Sequence, residues 1–330
     1  MLKELLSSDQ LSSHLEGTYS VKVKDISKLD WNVHRVDLAD GKSWVARLYP
    51  TKDETAIESL AGLLKFLQSS KYPAEELVSP PLAKTNDETA CVLVTHFIQG
   101  QRPERNRVTF YRLGKLLGRL HALHPEEGMP TGGAWHHLSI NGGMDDECEA
   151  AIKLLRDLQV QSTHLEGDSA SNDDHFTQLI TGLQKLASSF RNKKLPKCIV
   201  HPDFVPVNVI EEPTSTADGV PTKWTVVDWT GAGVGYRIVS LGFLLGAAAG
   251  RGKMVLVDAA MKGYSENIKL HETELEVLPL AAYARFFTID CWQVAMGREK
   301  AQSLVEGLPK LVELGDNVAK RVKELAQKRI

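Results

Sequence analysis

His201-Pro202-Asp203-Phe204-Val205-Pro206-Val207-Asn208, followed twenty residues after Asn208 by the Asp of Val226-Val227-Asp228-Trp229, is the stretch on which the reading of this chain turns. The octapeptide lies between two short strand candidates, Cys198-Ile199-Val200 and Asn208 to Ile210, and its two prolines make it a constrained loop. A third strand candidate, Trp224 to Val227, runs into Asp228. An Asp and an Asn five residues apart across a tight turn can face one point. A carboxylate there can accept the proton of an attacking hydroxyl. The Asn carbonyl oxygen, beside a second carboxylate at the end of the next strand, makes a hard-oxygen site suited to Mg²⁺. Phosphoryl transfer asks mainly for positioning and charge neutralisation, which such a set supplies. The competing reading of Asp203 and Asp228 is a pair of turn residues held by local hydrogen bonds.

Upstream, residues 17–50 alternate apolar and polar positions around the turn Ala39-Asp40-Gly41-Lys42, with Val33, Val36 and Leu38 before it and Trp44, Val45, Ala46 and Leu48 after it. That is a β-hairpin pattern. Leu60, Leu63, Leu64 and Leu67 recur at helical spacing and predict a helix over 53–67. Pro80-Pro81 breaks the chain, and Cys91 to Ile98 is a dense apolar and β-branched run that reads as a strand. Residues 1–98 therefore read as a small β-β-α-β lobe, 99–103 as a hinge, and 104–330 as a larger, mainly helical lobe. In that lobe Leu113, Leu116, Leu117 and Leu120 mark a helix over 108–123, residues 125–144 a Gly- and Pro-rich loop, and Glu166 to Asp174 a polar linker between two helices. Ile238 to Ala249 is apolar all round, at about half a membrane span, and reads as a buried helix. The predicted class is α+β, and the junction of two lobes is a usual place for a ligand.

The motif H-x-D-x-x-x-x-N, joined to an apolar-apolar-Asp-Trp strand, resembles the aminoglycoside phosphotransferase family, the choline-kinase-like small-molecule kinases with a bilobal protein-kinase-like fold. Three further segments carry the resemblance, which covers roughly residues 17–245. Leu113-Gly114-Lys115-Leu116-Leu117-Gly118-Arg119-Leu120-His121-Ala122-Leu123 resembles the helix that opens the large lobe. Asn32-Val33-His34-Arg35-Val36 resembles the second strand. Trp44-Val45-Ala46-Arg47-Leu48 resembles the third, where a Lys or Arg grips ATP phosphates. The resemblance implies Asp203 as catalytic base, Asn208 and Asp228 as metal ligands, ATP as co-substrate and Mg²⁺ as cofactor.

Arg47 suits the phosphate role because a guanidinium binds phosphate oxygens bidentately; the alternative is a surface arginine on an edge strand. Glu58, at the start of the following helix, is the candidate partner for Arg47, or else a solvated carboxylate. Asn32 turns either a phosphate-contacting loop or only a hairpin. His96, Phe97 and Ile98, at the end of the strand before the hinge, complete the cofactor-binding candidates. His201 is read as organising the loop. The chain departs from the family pattern in three places. No G-x-G-x-x-G precedes Arg47, where Lys28-Leu29-Asp30-Trp31-Asn32 stands instead. Ser240 stands where an Asp usually begins the helix after the metal strand and braces the catalytic loop. Pro202 and Phe204 replace a Gly and a polar or basic residue.

Composition sets outer limits. The 330 residues carry a formal net charge of −3, with 42% hydrophobic and 25% charged residues, an ordinary globular balance. No broad attraction to nucleic acid or anionic lipid follows. The basic runs at Lys193-Lys194 and from Lys320 to Arg329 read as solvated helix faces. Cys91, Cys148, Cys198 and Cys291 are widely spaced without a C-x-x-C pair, which fits a reducing compartment, and Met1 to Gln10 has no apolar leader. A cytoplasmic location is the expectation; the oligomeric state stays open. His121 with His124, and His136-His137, lack a third ligand at metal-binding spacing.

A peptide substrate is disfavoured. Ile238 stands only ten positions after Asp228, which leaves no room for an activation loop, and Pro202 stands where a protein kinase carries Arg. The acceptor is therefore a small molecule: an amino alcohol, an aminoglycoside or a sugar-like metabolite. Candidates to bind it lie in the helices after residue 245, namely Asp290, Trp292 and Glu272, with His271, Glu274, Glu276 and Arg285 nearby. Acidic groups would hold an ammonium and Trp292 would add a cation–π contact; the alternative for the three glutamates is a solvated helix start. The second class of function is a catalytically weak or inactive nucleotide-binding module, which the missing glycine loop favours and the complete set Asp203, Asn208, Asp228 and Arg47 opposes.

Overall fold

The computed structural model describes residues 5–85, 89–163, 169–213 and 222–327. The chain forms two compact units, Met1–Pro103 with Val207–Trp229, and Glu104–Pro206 with Thr230–Ile330.

The first unit opens with α1 (Ser8–Tyr19), whose Ser7 cap accepts from the Gln10 amide. Strands β1 (Val23–Asp30), β2 (Val33–Leu38), β3 (Ser43–Pro50), β4 (Leu77–Lys84) and β5 (Ala90–His96) form one antiparallel sheet in the order β1-β2-β3-β5-β4. Helix α2 (Glu54–Ser69) connects β3 toward β4. The 33–48 hairpin forms as expected, with Val36 opposite Trp44. Leu11, Leu15, Val36, Leu38, Trp44, Ala46, Leu48, Val92 and Val94 share one core, so α1 packs on this sheet. Three elements escaped the β-β-α-β expectation. Helix α1 buries only Leu11, His14 and Leu15, and β1 is a polar strand with no fully buried residue, so neither shows strong periodicity. Strand β4 contains Pro80 and Pro81, expected to break the chain. It tolerates them because it is an edge strand and its pairing to β5 slips between Leu77 and Leu82.

Two further strands, β7 (Val209–Glu211) and β8 (Trp224–Val226), pair as a ribbon. This ribbon belongs to the first unit, whereas the sequence assigned all of 104–330 to the second lobe. Its attachments explain the difference: the Val226 amide donates to Pro73 O at 2.8 Å, and Gln101 and Glu211 exchange backbone bonds at 3.0 and 2.8 Å.

In the second unit α3 (Arg107–His121), α4 (Met144–Thr163), α5 (Ser169–Arg191), α6 (Arg237–Ala249), α7 (Met254–Tyr264), α8 (Glu272–Ala295) and α9 (Ala301–Gln327) surround the pair β6 (Lys197–Val200) and β9 (Gly233–Tyr236). Helix α6 is buried almost throughout, as its composition predicts. Helices α3 and α7 cross at backbone contact: a Cβ on Gly114 would stand 1.9 Å from Ala260 O, and one on Gly263 2.0 Å from Tyr111 O. The expected linker 166–174 is overturned from Ser169 onward, where α5 has already begun; 166–168 lie outside the described residues. All four cysteines are buried and unpaired, and among the described residues no helix is long and apolar enough to cross a membrane.

Candidate active site

The two halves of the decisive stretch fall in different units. In the second, the loop after β6 is held by its backbone. His201 is fully buried, and its Nδ1 accepts the Asp203 amide at 3.0 Å. Ser240 Oγ donates to His201 O at 2.7 Å. The acid expected at the start of α6 is thus replaced by a hydroxyl that makes the bracing bond itself. Arg285, 1% exposed, donates from Nη1 to Pro202 O at 2.7 Å and from Nη2 to Gly133 O. Its charge is met by Glu147, fully buried, at 3.0 Å. Glu147 also accepts the Trp135 amide at 2.7 Å and the Thr288 hydroxyl. Burial pushes the Glu147 carboxyl above its ordinary range, against the pull of Arg285. Asp203 is half-buried at the turn so fixed, and its carbonyl accepts the Val205 amide at 3.0 Å. Pro202 and Phe204, which depart from the family pattern, are both buried, with the Phe204 ring edge-on to His201 at 5.8 Å.

In the first unit, Asn208 ends a 3-10 turn (Pro206–Asn208) immediately before β7, and its carbonyl accepts the Val227 amide at 2.9 Å. Asp228 follows β8. The register Val209↔Val226 sets both residues at one end of the ribbon. Asp228 has φ 64°, a left-handed conformation that costs a non-glycine residue energy and persists only where surroundings enforce it. Its amide donates to Glu75 Oε1 at 2.7 Å. Trp229 is buried below, with Nε1 donating to Val226 O at 2.9 Å and Tyr72 edge-on to its ring.

Arg47 lies on β3, largely buried. Nη1 meets Glu75 Oε2 at 2.8 Å, and Nη2 meets Oε1 at 3.1 Å. Nη1 also donates to Thr95 Oγ1 at 3.3 Å. Burial opposes the Arg47 charge, but Glu75, with Tyr49 and Asp228 nearby, outweighs it and raises the pKa. The expected partner, Glu58, does not take this place. It is exposed on α2 beside Glu54, Lys65 and Lys84 in a surface hollow, while Ile57 and Leu60 of the same turn are buried. Glu75 was missed because it sits in a short connector, Tyr72-Pro73-Ala74-Glu75, where no periodicity flags a buried acid. Two adjacent acids, Glu75-Glu76, just after Pro73-Ala74 and before an edge strand were the only local cue.

Asn32 adopts φ 54° in the two-residue turn between β1 and β2, where its carbonyl accepts the Leu48 amide at 2.9 Å and its Oδ1 the Leu5 amide at 3.4 Å. Asp30 turns its carboxylate onto the Trp31 amide at 2.7 Å. His96 is exposed at the end of β5, Phe97 and Ile98 are half-buried, and Arg35 stacks its guanidinium 4.4 Å above the Phe97 ring.

The acceptor candidates are not brought together. Glu272 is exposed at the start of α8, about 27 Å along the helix from Asp290 at 1.5 Å per residue. Glu274 is buried against Arg237 at 2.6 Å, and Glu276 pairs with Lys193. Arg285 is committed to the loop, as described. Trp292 is buried edge-on to Trp135 at 5.2 Å, and the Arg298 guanidinium already sits 4.9 Å over its ring, so its face is not open for a ligand cation. Asp290 remains half-buried, its pKa pushed up to about 6 by burial and by Glu299.

No group of three or more His, Cys, Asp or Glu side chains fit to hold a metal is present among the described residues. Asn208 with Asp228 is instead one amide oxygen and one carboxylate, the sparse hard-oxygen set that suits Mg²⁺ sharing its shell with phosphates and water. His121, buried, bonds Tyr264 Oη through Nδ1 at 2.9 Å.

Residues 26–278 match the phosphotransferase enzyme family (APH). Among solved structures, the amicoumacin kinase hAmiN is 14% identical with a TM-score of 0.64, covering 89% of this chain and 88% of that one. Choline kinase LicA from Streptococcus pneumoniae is 11% identical with a TM-score of 0.61, covering 94% and 98%. A microcompartment-associated aminopropanol kinase is 14% identical with a TM-score of 0.54, covering 97% of each chain. At these identities the likeness establishes the fold: bilobal and kinase-like, with a β-rich lobe and a mainly helical lobe. A curated relative, the Arabidopsis thaliana protein NETWORKED 1B, is 26% identical over 174 residues, which is 52% of this chain and 10% of that protein.

Proposed function

The chain belongs to the phosphotransferase enzyme family, and from that premise we propose that it transfers a phosphoryl group from ATP, with Mg²⁺, to a hydroxyl of a small molecule. The observation that carries this reading is the joining of Arg47 and Asp228 through one buried carboxylate, beside Asn208 at the same ribbon end. Asn208 and Asp228 would hold Mg²⁺, which when bound neutralises charge on the phosphates. Arg47 keeps N–H groups beyond those given to Glu75 and Thr95, because a guanidinium carries five donors; these grip phosphate oxygens. Asp203 accepts the acceptor's proton as its oxygen bonds the γ-phosphorus and the bond to the ADP leaving group breaks. Residues 1–98 with the β7–β8 ribbon serve the nucleotide, and the remainder of 104–330 serves catalysis and acceptor binding.

The acceptor class rests on two supports. The similar structures include kinases of amicoumacin, choline and aminopropanol. Asp290, half-buried and ionised above pH about 6, offers a carboxylate to an ammonium. An amino alcohol, an aminoglycoside or a sugar-like acceptor fits this reading, and a cytoplasmic setting suits its use of ATP.

Calorimetric titration of the protein with Mg²⁺ and a non-hydrolysable ATP analogue tests it. The wild type should bind, and Asp228→Ala should lose the metal-dependent part of the affinity while staying folded. Unchanged binding by Asp228→Ala would remove the metal site. Binding by the wild type without transfer to any hydroxylated acceptor would favour the inactive nucleotide-binding module.

A further inference from the structure

Glu75 stands where three lines of the first unit converge. It is 4% exposed, and both carboxylate oxygens are filled. Oε1 accepts Arg47 Nη2 at 3.1 Å and the Asp228 amide at 2.7 Å; Oε2 accepts the Thr95 hydroxyl at 3.0 Å and lies 2.8 Å from Arg47 Nη1. Charge-assisted bonds of this kind are the strong ones, and the fork geometry fixes the guanidinium plane. The bond from the Asp228 amide reaches the backbone of a residue in a left-handed conformation that costs a non-glycine residue energy.

The segment that delivers Glu75 is itself fastened to the strand that delivers Asp228. Pro73 O accepts the Val226 amide at 2.8 Å, Ala74 and Val226 form a parallel bridge, and Tyr72 packs edge-on against Trp229. Tyr72, Glu75, Val226, Asp228 and Trp229 thus form one hydrogen-bonded piece. The Arg47 guanidinium bonds to Glu75 and Thr95, neither of them on α2, and Glu58, the partner expected from that helix, is exposed.

We propose that Glu75 is a positioning residue that ties the phosphate-binding arginine to the metal-binding aspartate, so that the two are set together by a carboxylate of the 72–75 segment and not by one of α2. The proposal rests on the kinase reading of the site. Its consequence is that nucleotide and metal binding are coupled through a side chain that touches neither. Partners one step removed from a metal ligand typically change affinity 10–100-fold when lost.

The test compares wild type, Glu75→Gln and Glu76→Gln by calorimetry, each with Mg²⁺ and a non-hydrolysable ATP analogue and again with the analogue in EDTA. Circular dichroism reports folding. Glu75→Gln keeps the size and one acceptor oxygen but loses the charge and one of the two oxygens. The expected result is a roughly 10–100-fold weaker Kd with Mg²⁺ and a smaller ratio between the metal-free and metal-containing Kd than in wild type. Glu76, exposed on the neighbouring position, should leave both unchanged. A merely structural residue would lower the melting temperature and leave that ratio intact. A folded Glu75→Gln with wild-type Kd and ratio overturns the proposal. If Glu75→Gln does not fold, Thr95→Val carries the test: it removes one bond to the same carboxylate and keeps both charges. Its affinity should fall several-fold, and an unchanged Kd would overturn the proposal. A wild type that binds no Mg²⁺-nucleotide at all would instead sink the kinase reading on which the proposal stands.

Discussion

Replacing Arg285 by Met probes the brace beneath Asp203. The change keeps much of the side-chain volume and removes the guanidinium that meets Glu147 at 3.0 Å and the carbonyls of Pro202 and Gly133. Breaking a buried ion pair by deleting one partner costs about 3–5 kcal/mol, because the remaining charge is stranded. Two carbonyls that lose a donor push the cost toward the upper end of that range. Against a total stability of about 5–15 kcal/mol, this is a large share. The loss has a definite pH dependence. Burial already holds the Glu147 carboxyl above its unfolded value, and removing Arg285 raises it further. A carboxyl with a raised native pKa favours the folded state at low pH and loses that contribution as pH rises through the native value. Arg285→Met should therefore be less destabilised at pH 5 than at pH 8. Adding Glu147→Gln should restore part of the loss at pH 8, because no stranded charge remains. Urea unfolding of the three proteins, followed by circular dichroism at both pH values, measures this. An Arg285→Met variant within about 1 kcal/mol of wild type at pH 8, below the cost of any broken buried pair, would refute the reasoning. A Glu147→Gln change that adds its full cost to that variant would do the same.

Two further outcomes follow from the packing. Gly114→Ala places a methyl on the Ala260 carbonyl, and overpacking of this kind costs about 1–3 kcal/mol or more; a wild-type melting temperature would show that α3 and α7 cross elsewhere. His121 is neutral in the fold, its pKa lowered to about 3 by burial. Its native value lies below the unfolded one, so stability falls as pH drops from about 6.5 toward 3. His121→Asn should flatten that part of the melting-temperature profile whatever its effect at pH 8, and a profile of unchanged slope would contradict the assignment.

The sequence made the motif loop, the 33–48 hairpin, α3 and the buried α6 legible, because each carries either a local constraint or a clean hydrophobic period. Arg47 was found because a charged residue interrupts an apolar strand. Its partner was not. Glu58 lay in the expected helix, but side-chain direction there depends on which face of α2 packs, and the buried face is that of Ile57, Leu60 and Leu64. Glu75 is fixed by a pairing 153 residues distant, a relation no window of sequence contains. Ser240 shows a milder form of the same limit: the departure from an acid was visible, while its bond to the His201 carbonyl needed the fold. The acceptor candidates were drawn from one helix by residue type alone, and the helix turns most of them to other tasks.

The central claim, that this chain transfers phosphate to a hydroxyl with Asp203 as the base, is tested most directly by one kinetic comparison. Wild type and Asp203→Asn would be incubated with ATP and Mg²⁺ across a panel of hydroxylated amines and sugars, with phosphorylated product followed by ³¹P NMR and nucleotide affinity measured in parallel. The account predicts acceptor-dependent product from the wild type. It predicts a fall in turnover of roughly 10²–10⁴ in Asp203→Asn, the usual share of general acid–base catalysis, with ATP affinity nearly unchanged because Asn208, Asp228 and Arg47 remain. Undiminished turnover in Asp203→Asn, or loss of ATP binding with that single change, would contradict it.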